Sequence, residues 1–363
     1  MSATYGTKIK MTIFGESHGK AIGLVIDGLP PGLALDEEFI RSEMERRAPG
    51  RNKLGTQRHE TDAFVIQSGY FEGRAAGTPL CVLIPNSDSH SKDYSILAAK
   101  MRPGHADYAG QVKYQGYNDY RGGGHFSGRL TAPLVFMGAV AKLALREYGV
   151  TVGSHIASIG AVADGRFDPL GTSPEILAEL RLKVLPTLKP EAAAAMEEEI
   201  NRARAEGDSV GGSIEVVVTG LKAGLGDPFF DSVESRLAHA LFSVPAVKGL
   251  EFGRGFGFCA LRGSEANDPM HYQNGLVRTL TNNNGGITGG ITNGMPVLFR
   301  VGIKPTPSIS RLQHTVDIKA HCDTDLVITG RHDPCIVQRA VPVIEGVAAW
   351  TMLDLLKTDG VEP

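Results

Sequence analysis

Six short stretches of this chain carry residue types that can do chemistry, and each has a blander reading beside it. In Gly15-Glu16-Ser17-His18-Gly19 a histidine lies between glycines. Such a turn leaves room for a ligand against the imidazole, which suits proton transfer; the alternative is a tight turn with a surface histidine. The stretch also matches the G-x-S-x-G nucleophile elbow. An elbow needs a helix after the serine and an oxyanion loop from earlier in the chain. Ala21-Ile22-Gly23-Leu24-Val25-Ile26 reads as a strand instead, and little chain precedes it. In Arg102-Pro103-Gly104-His105-Ala106-Asp107 the Pro-Gly pair puts His105 in a turn, where Asp107 or another carboxylate could orient it.

The other four stretches suit anions. Arg121-Gly122-Gly123-Gly124-His125-Phe126-Ser127-Gly128-Arg129 runs into an apolar helix, so backbone N–H groups, a helix dipole and two arginines are all on offer. Neither the P-loop nor the dinucleotide fingerprint is present. Arg46, Arg47, Arg51, Lys53 and Arg58 crowd the end of a helix and the loop beyond. The helix dipole accounts for the first two, and a small polyanion would account for all five. Gly285 to Gly294 contains paired glycines that would let a planar ring approach backbone, and Lys304-Pro305-Thr306-Pro307-Ser308 suits a phosphate tail. A pair of plain hairpins is the alternative. In Arg331-His332-Asp333-Pro334-Cys335 the aspartate is placed to cap the final helix.

The elements that must position these stretches alternate strand and helix. Strands are expected at 9–14, 21–27, 63–68, 79–85, 213–219 and 296–303. Helices are expected at 36–47 (capped by Asp36), 128–147, 174–186, 190–206, 231–243 and 334–357, the last opened by Pro334 and kinked at Pro342. Helix 190–206 reads as polar and solvent-facing. No linker or fixed-period repeat stands out, which points to one domain, residues 1–363. Strand order is not legible.

Composition narrows the function classes. Glycine makes up 45 of 363 residues, above the usual ~7%, and it is clustered where backbone would approach a ligand. A formal charge of −3 gives no basis for a nucleic-acid-binding surface. No signal peptide and no uninterrupted apolar run of about 18 residues is legible, so no membrane partner is expected. Cys81, Cys259, Cys322 and Cys335 form no C-x-x-C pair, and buried reduced thiols are expected, with no metal.

Taken in order, GESHG, DGLPPG, RRAPG, RPGHAD, DYRGGG, GDSVGG, AVKGLEFG, GGITGGITNG, KPTPSI and RHDPC make the chain resemble the chorismate synthase family from about Thr12 to about Asp354. The resemblance implies an α/β (α+β) fold, a β-α-β sandwich with internal helices between antiparallel sheets, and a cytoplasmic homotetramer. It implies a lyase of the shikimate pathway that serves aromatic amino acid biosynthesis. The reaction is the anti-1,4-elimination of phosphate from 5-enolpyruvylshikimate 3-phosphate, with reduced FMN and no net redox change. His18 would transfer a proton near the leaving phosphate, His105 would protonate or hydrogen-bond the flavin, and Asp333 would help the flavin accept the ring hydrogen. Arg47, Lys53 and Arg129 would bind the substrate's anionic groups. His125, Phe126, Ser127, Pro245, Ala246, Gly289, Lys304, Pro305, Thr306, Pro307, Ser308 and Arg331 match flavin-contacting positions.

The chain departs from the family pattern after the triple glycine. His125-Phe126-Ser127-Gly128-Arg129-Leu130-Thr131 stands where Arg-Ser-Ser-(Ala/Gly)-Arg-Glu-Thr is common. Pro245 replaces a usual Asn, and Lys53 stands where Arg is frequent. The flavin's polar contacts should differ accordingly. NADPH is one candidate reductant. The missing dinucleotide fingerprint favours an outside reductant. A non-catalytic polyanion binder is the competing class, and it would make His18, His105 and Asp333 dispensable.

Overall fold

In the computed structural model, residues 3–50, 54–55, 61–86, 97–328 and 332–363 are described. Arg51, Lys53, Arg58 and Arg331 lie outside them. One five-stranded antiparallel sheet comprises β1 (Thr4–Tyr5), β2 (Lys10–Gly15), β3 (Ala21–Asp27), β4 (Val65–Ser68) and β5 (Leu80–Pro85), in the order β1-β2-β3-β5-β4. The other comprises β6 (Thr151–Ile159), β7 (Val162–Ala163), β8 (Gly212–Thr219), β9 (Val247–Phe252) and β10 (Val297–Ile303), in the order β9-β10-β8-β6-β7.

Helices fill the space between the sheets. They are α1 (Glu37–Arg47), α3 (Thr131–Glu147) and α7 (Val337–Thr358); outside them lie α2 (Asp107–Lys113), α4 (Pro174–Leu182), α5 (Pro190–Ala205) and α6 (Val233–Phe242). Helix α3 touches β3 of the first sheet and β6 of the second. Helix α7 packs on β6 and β8, while its Trp350 Nε1 donates to Ile9 O (2.8 Å) beside the first sheet. The expected β-α-β sandwich is therefore present. A helix apolar on all sides must be buried on all sides, and α3 is: every residue from Thr131 to Leu145 is buried. By composition the 121–147 segment could cross a membrane, yet 89% of its most apolar window is buried within the protein. Helices α3 and α7 cross at Gly138 and Gly346, where a Cβ on Gly138 would overlap the partner backbone.

Asp36 caps α1 as expected, accepting from Phe39 N at 3.0 Å. Five expectations are corrected. The helix expected at 174–186 stops at Leu182, and α5 buries one face through Met196 and Ile200. Two of the four cysteines, Cys259 and Cys322, are exposed, although all four are free. Only Cys335 is deeply buried, and burial pushes its thiol up to about 12. Asp333 does not cap the last helix, and Pro334 does not open it. That helix starts at Val337 behind Ile336 with no side-chain cap. The Asp333 carboxylate instead accepts from Arg339 Nη1 at 2.6 Å. A charge-assisted bond to a guanidinium is a stronger partner than a neutral backbone N–H.

The outer face of the second sheet hides a charged histidine. His155 Nδ1 lies 3.0 Å from Asp164 and its Nε2 3.0 Å from Glu215. Both nitrogens face carboxylates, so both must donate, which only the imidazolium does. Burial would lower its pKa, but the two carboxylates outweigh it and raise the value. A raised folded pKa contributes stability in full below the unfolded value of about 6.5, and that stability is lost as pH rises through the folded one. Urea midpoints are therefore expected to fall as pH is raised above neutrality. A His155→Gln variant should lack that slope; an unchanged slope would locate the titrating group elsewhere.

Candidate active site

The 121–130 segment is the meeting point of the predicted site. Gly122, Gly123 and Gly124 take φ values of 58°, 85° and 53°, a region that favours glycine. A Cβ on Gly122 would overlap the His18 ring and lie 3.0 Å from Ser17 Oγ. A Cβ on Gly123 would lie 3.1 Å from His105 Nε2. The two predicted histidines thus rest against adjacent glycines of one loop. Ser17 N donates to Gly124 O at 3.1 Å and ties the GESHG turn to the loop. That turn joins β2 to β3, both strands, so the nucleophile-elbow geometry is absent. Ser17 Oγ sits 3.2 Å from His18 Nδ1.

One feature of the loop differs from expectation. The glycines do not form the start of α3. A single 3-10 turn (Gly128–Leu130) intervenes, with Ser127 Oγ accepting from Arg129 N at 3.3 Å. Gly123 N is already used by Tyr120 O. The groups the loop offers to an anion are therefore side chains rather than the helix end. Phe126 packs its ring on Gly110 of α2, and His125 Nδ1 lies 3.0 Å from Gly15 O.

Behind the loop is a buried cationic cluster. Asp62 bridges Arg47 Nε (2.6 Å) and Arg129 Nη1. Burial by itself would raise the Asp62 carboxyl, but the two guanidinium groups outweigh it and hold it below its ordinary value. Arg47 is 2% exposed, and its Nη2 is buried with no hydrogen-bond partner among the described residues. A buried N–H left unpaired costs roughly 1–3 kcal/mol. An anion arriving at Arg47 would remove that cost. Arg339 continues the cluster, donating from Nε to Arg47 O (3.0 Å) and from Nη1 to Asp333.

The contacts close into a ring. Arg129 Nε donates to Asn86 Oδ1 (3.0 Å), and Asn86 Nδ2 donates to Glu16 O (3.0 Å) and Gly19 O (2.9 Å) of the GESHG turn. On the other side Arg102 Nη1 donates to Ser308 Oγ (3.4 Å), and Lys304 Nζ donates to Gly104 O. Lys304 N donates to Ala246 O at 2.9 Å, which brings the exposed Pro245 turn alongside. Ser209 Oγ donates to Thr306 O (2.7 Å) and Val210 N to Pro334 O (2.8 Å), joining the 304–308 run to the Asp333 segment. Pro305 and Pro307 line the same run, against Gly211 and Gly104.

Gly289 is not part of this ring. It sits in the Ile287–Thr288/Ile291–Thr292 hairpin ahead of β10, whereas Lys304 follows the far end of that strand, roughly 20 Å away at ~3.3 Å per residue. The stretch forms one short hairpin there. Asp62, Asn86 and Arg339 join these residues in the structure and were not singled out in the sequence; Arg102 was quoted only as part of its motif. An arginine in the first turn of an otherwise apolar helix was the one available signal for Arg339. Asp62 and Asn86 give none.

Comparison with known proteins agrees with this arrangement. Residues 9–356 match the family described as chorismate synthase. The chain is 48% identical over 352 residues to a chorismate synthase of Thermococcus gammatolerans, covering 97% of this chain and 96% of that protein. It is 44% identical over 363 residues to one of Dehalococcoides mccartyi, covering 100% and 99%. It superimposes on a crystal structure of chorismate synthase with a TM-score of 0.77 at 29% identity, covering 98% and 94% of the two chains. With fold, motif order and full-length identity in agreement, this chain belongs to the chorismate synthase family.

Proposed function

We propose that the chain eliminates phosphate from 5-enolpyruvylshikimate 3-phosphate to form chorismate, as a carbon–oxygen lyase of the shikimate pathway. The observation that carries this site reading is the placement of His18 and His105 on adjacent glycines of one loop, whose Gly128 carbonyl accepts from the buried Arg47, a guanidinium with one N–H unpaired among the described residues. The substrate bears two carboxylates and a phosphate, so buried positive charge is what binding requires. Arg47 and Arg129 hold these groups, joined by Lys53 from outside the described residues. His18 gives a proton to the leaving phosphate, and the Asp333 carboxylate assists the flavin in accepting the ring hydrogen.

The residues present suit FMN. Thr306 Oγ1, in the run that includes Lys304 and Ser308, is buried without a partner among the described residues, and a phosphate tail would satisfy it. Ala246, Pro245, Pro305, Pro307, His125, Ser127 and Arg331 complete the proposed cradle. Phe126 acts there through its seat on α2, and Gly289 reaches FMN only if another copy of the chain supplies it. When bound, reduced FMN supplies an electron to the substrate and recovers it, which leaves no net redox change. His105 presents Nε2 for proton exchange with the ligand. Without a dinucleotide fingerprint, reduction is assigned to an outside donor, with NADPH as the alternative.

The same reading makes the chain a single domain and a cytoplasmic homotetramer. Apolar side chains left exposed, among them Phe229, Phe230, Phe256 and Tyr272, support self-association.

The test is anaerobic turnover of 5-enolpyruvylshikimate 3-phosphate with dithionite-reduced FMN, following chorismate by absorbance. Turnover is expected with reduced FMN and none with oxidised FMN or without it. His18→Ala and His105→Ala should each lower kcat by about 10²–10⁴-fold. Ligand binding without any turnover would point to the polyanion binder instead. Replacing dithionite by NADPH decides the reductant.

A further inference from the structure

We propose that Asp107 is the positioning residue for His105, fixing which ring nitrogen faces the ligand. This rests on reading His105 as a proton-transfer group.

His105 Nδ1 lies 2.6 Å from Asp107 Oδ1 and 3.1 Å from Arg102 Nη2. These two neighbours make opposite demands. A guanidinium only donates, so it would need Nδ1 bare. A carboxylate only accepts, so it would need Nδ1 protonated. The distances decide. A bare nitrogen held 2.6 Å from a carboxylate oxygen would set lone pair against lone pair. Arg102 Nη2 also has a better acceptor than the ring, Asp107 Oδ1 at 2.8 Å. The network therefore assigns the proton to Nδ1, which donates to Asp107.

Asp107 is itself held firmly. Arg102 grips both its oxygens, Nε to Oδ2 at 2.7 Å and Nη2 to Oδ1 at 2.8 Å, and the Arg102 backbone N donates to Oδ2 at 3.1 Å. Burial would raise the Asp107 carboxyl, but hydrogen bonds from Arg102 and His105 outweigh it and hold it well below the usual carboxylate range. The carboxylate stays ionised across any working pH. With Nδ1 committed, Nε2 is the nitrogen left for exchange, and it is the one that faces Gly123. A carboxylate that fixes tautomer and orientation without taking the proton is an established device for histidine.

The experiment is ¹⁵N NMR of histidine-labelled protein, with the His105 signal identified by its loss in His105→Ala. In the unsubstituted protein the neutral His105 ring should be the Nδ1–H tautomer. In Asp107→Asn the side-chain amide can donate to Nδ1, and the signal should switch to Nε2–H. In steady-state kinetics Asp107→Asn should lower kcat about 10²-fold, with substrate KM and reduced-FMN affinity within about threefold. An Nε2–H tautomer in the unsubstituted protein overturns the proposal, and so does Asp107→Asn with kcat within threefold. If Asp107→Asn fails to fold, the tautomer of the unsubstituted protein still decides. If that protein forms no chorismate, the functional reading fails on its own, and the tautomer result stands apart from it.

Discussion

Gly122→Ala is expected to lower kcat by about 10²–10⁴-fold while the protein stays folded. The reasoning starts from backbone. Gly122 has φ 58°, where a non-glycine residue costs roughly 1–2 kcal/mol. That cost is affordable for a chain of 363 residues. The larger consequence is steric. The added Cβ would occupy the space of the His18 imidazole and press on Ser17 Oγ. A buried ring 8% exposed cannot swing freely, so either the loop or the GESHG turn must shift. A proton-transfer group must sit within hydrogen-bond reach of its target, and a displacement of about 1 Å can cost 10²-fold. Gly171→Ala is the control, because a Cβ there meets nothing within 4 Å. The readouts are kcat with reduced FMN, far-UV circular dichroism and thermal midpoint. A variant that retains kcat within about threefold would mean that the position of His18 does not matter to turnover.

Glu345→Ala is expected to cost about 3–5 kcal/mol of folding stability, the range for removing one partner of a buried ion pair. Glu345 stands in α7 in the middle of the molecule. It accepts from Arg46 (2.7 and 3.0 Å), Lys142 (2.6 Å) and Ser154 (2.8 Å). Glu43 accepts from Arg46, Lys142 and Arg181 in the same cluster. Burial would raise the Glu345 carboxyl, but Arg46 and Lys142 outweigh it and lower the value. Without Glu345, the buried Arg46 and Lys142 would share Glu43 with the partly exposed Arg181. The penalty for charge is steep there because desolvation is not offset. The surface pair Lys183–Glu179, whose glutamate is 68% exposed, provides the contrast: Glu179→Ala should change stability by under about 1 kcal/mol. Urea denaturation measures both, with an unchanged m-value licensing the comparison. A loss of less than 1 kcal/mol for Glu345→Ala would show that water or a shifted side chain replaces it.

Much of the site's membership was legible because glycine and proline act locally. The triple glycine announced a backbone that only glycine adopts easily, and the structure uses that space to seat two histidines. Asp36, Pro174 and Pro190 marked helix starts for the same local reason. Strand β6 was missed. Its Ser154 and His155 look like solvent-facing polar residues, yet both are buried on partners far away, Glu345 and Glu215. Period-2 patterning cannot register a polar side chain whose partner lies on another element.

What the sequence determined by itself was the set of short-range features: caps, turns, strand and helix periods, and the ordered motifs that mark the family. Each depends on residues within about four positions of one another. What only the tertiary structure decided was pairing. Arg46 and Arg47 are neighbours that a helix dipole would explain equally. The fold sends Arg46 to Glu345 in the core and Arg47 to Asp62 at the site. Asp333 was an apparent cap until Arg339 claimed it. A buried charge must find a countercharge wherever packing brings one. That choice is made by the approach of segments up to about 300 residues apart, and no local pattern encodes it.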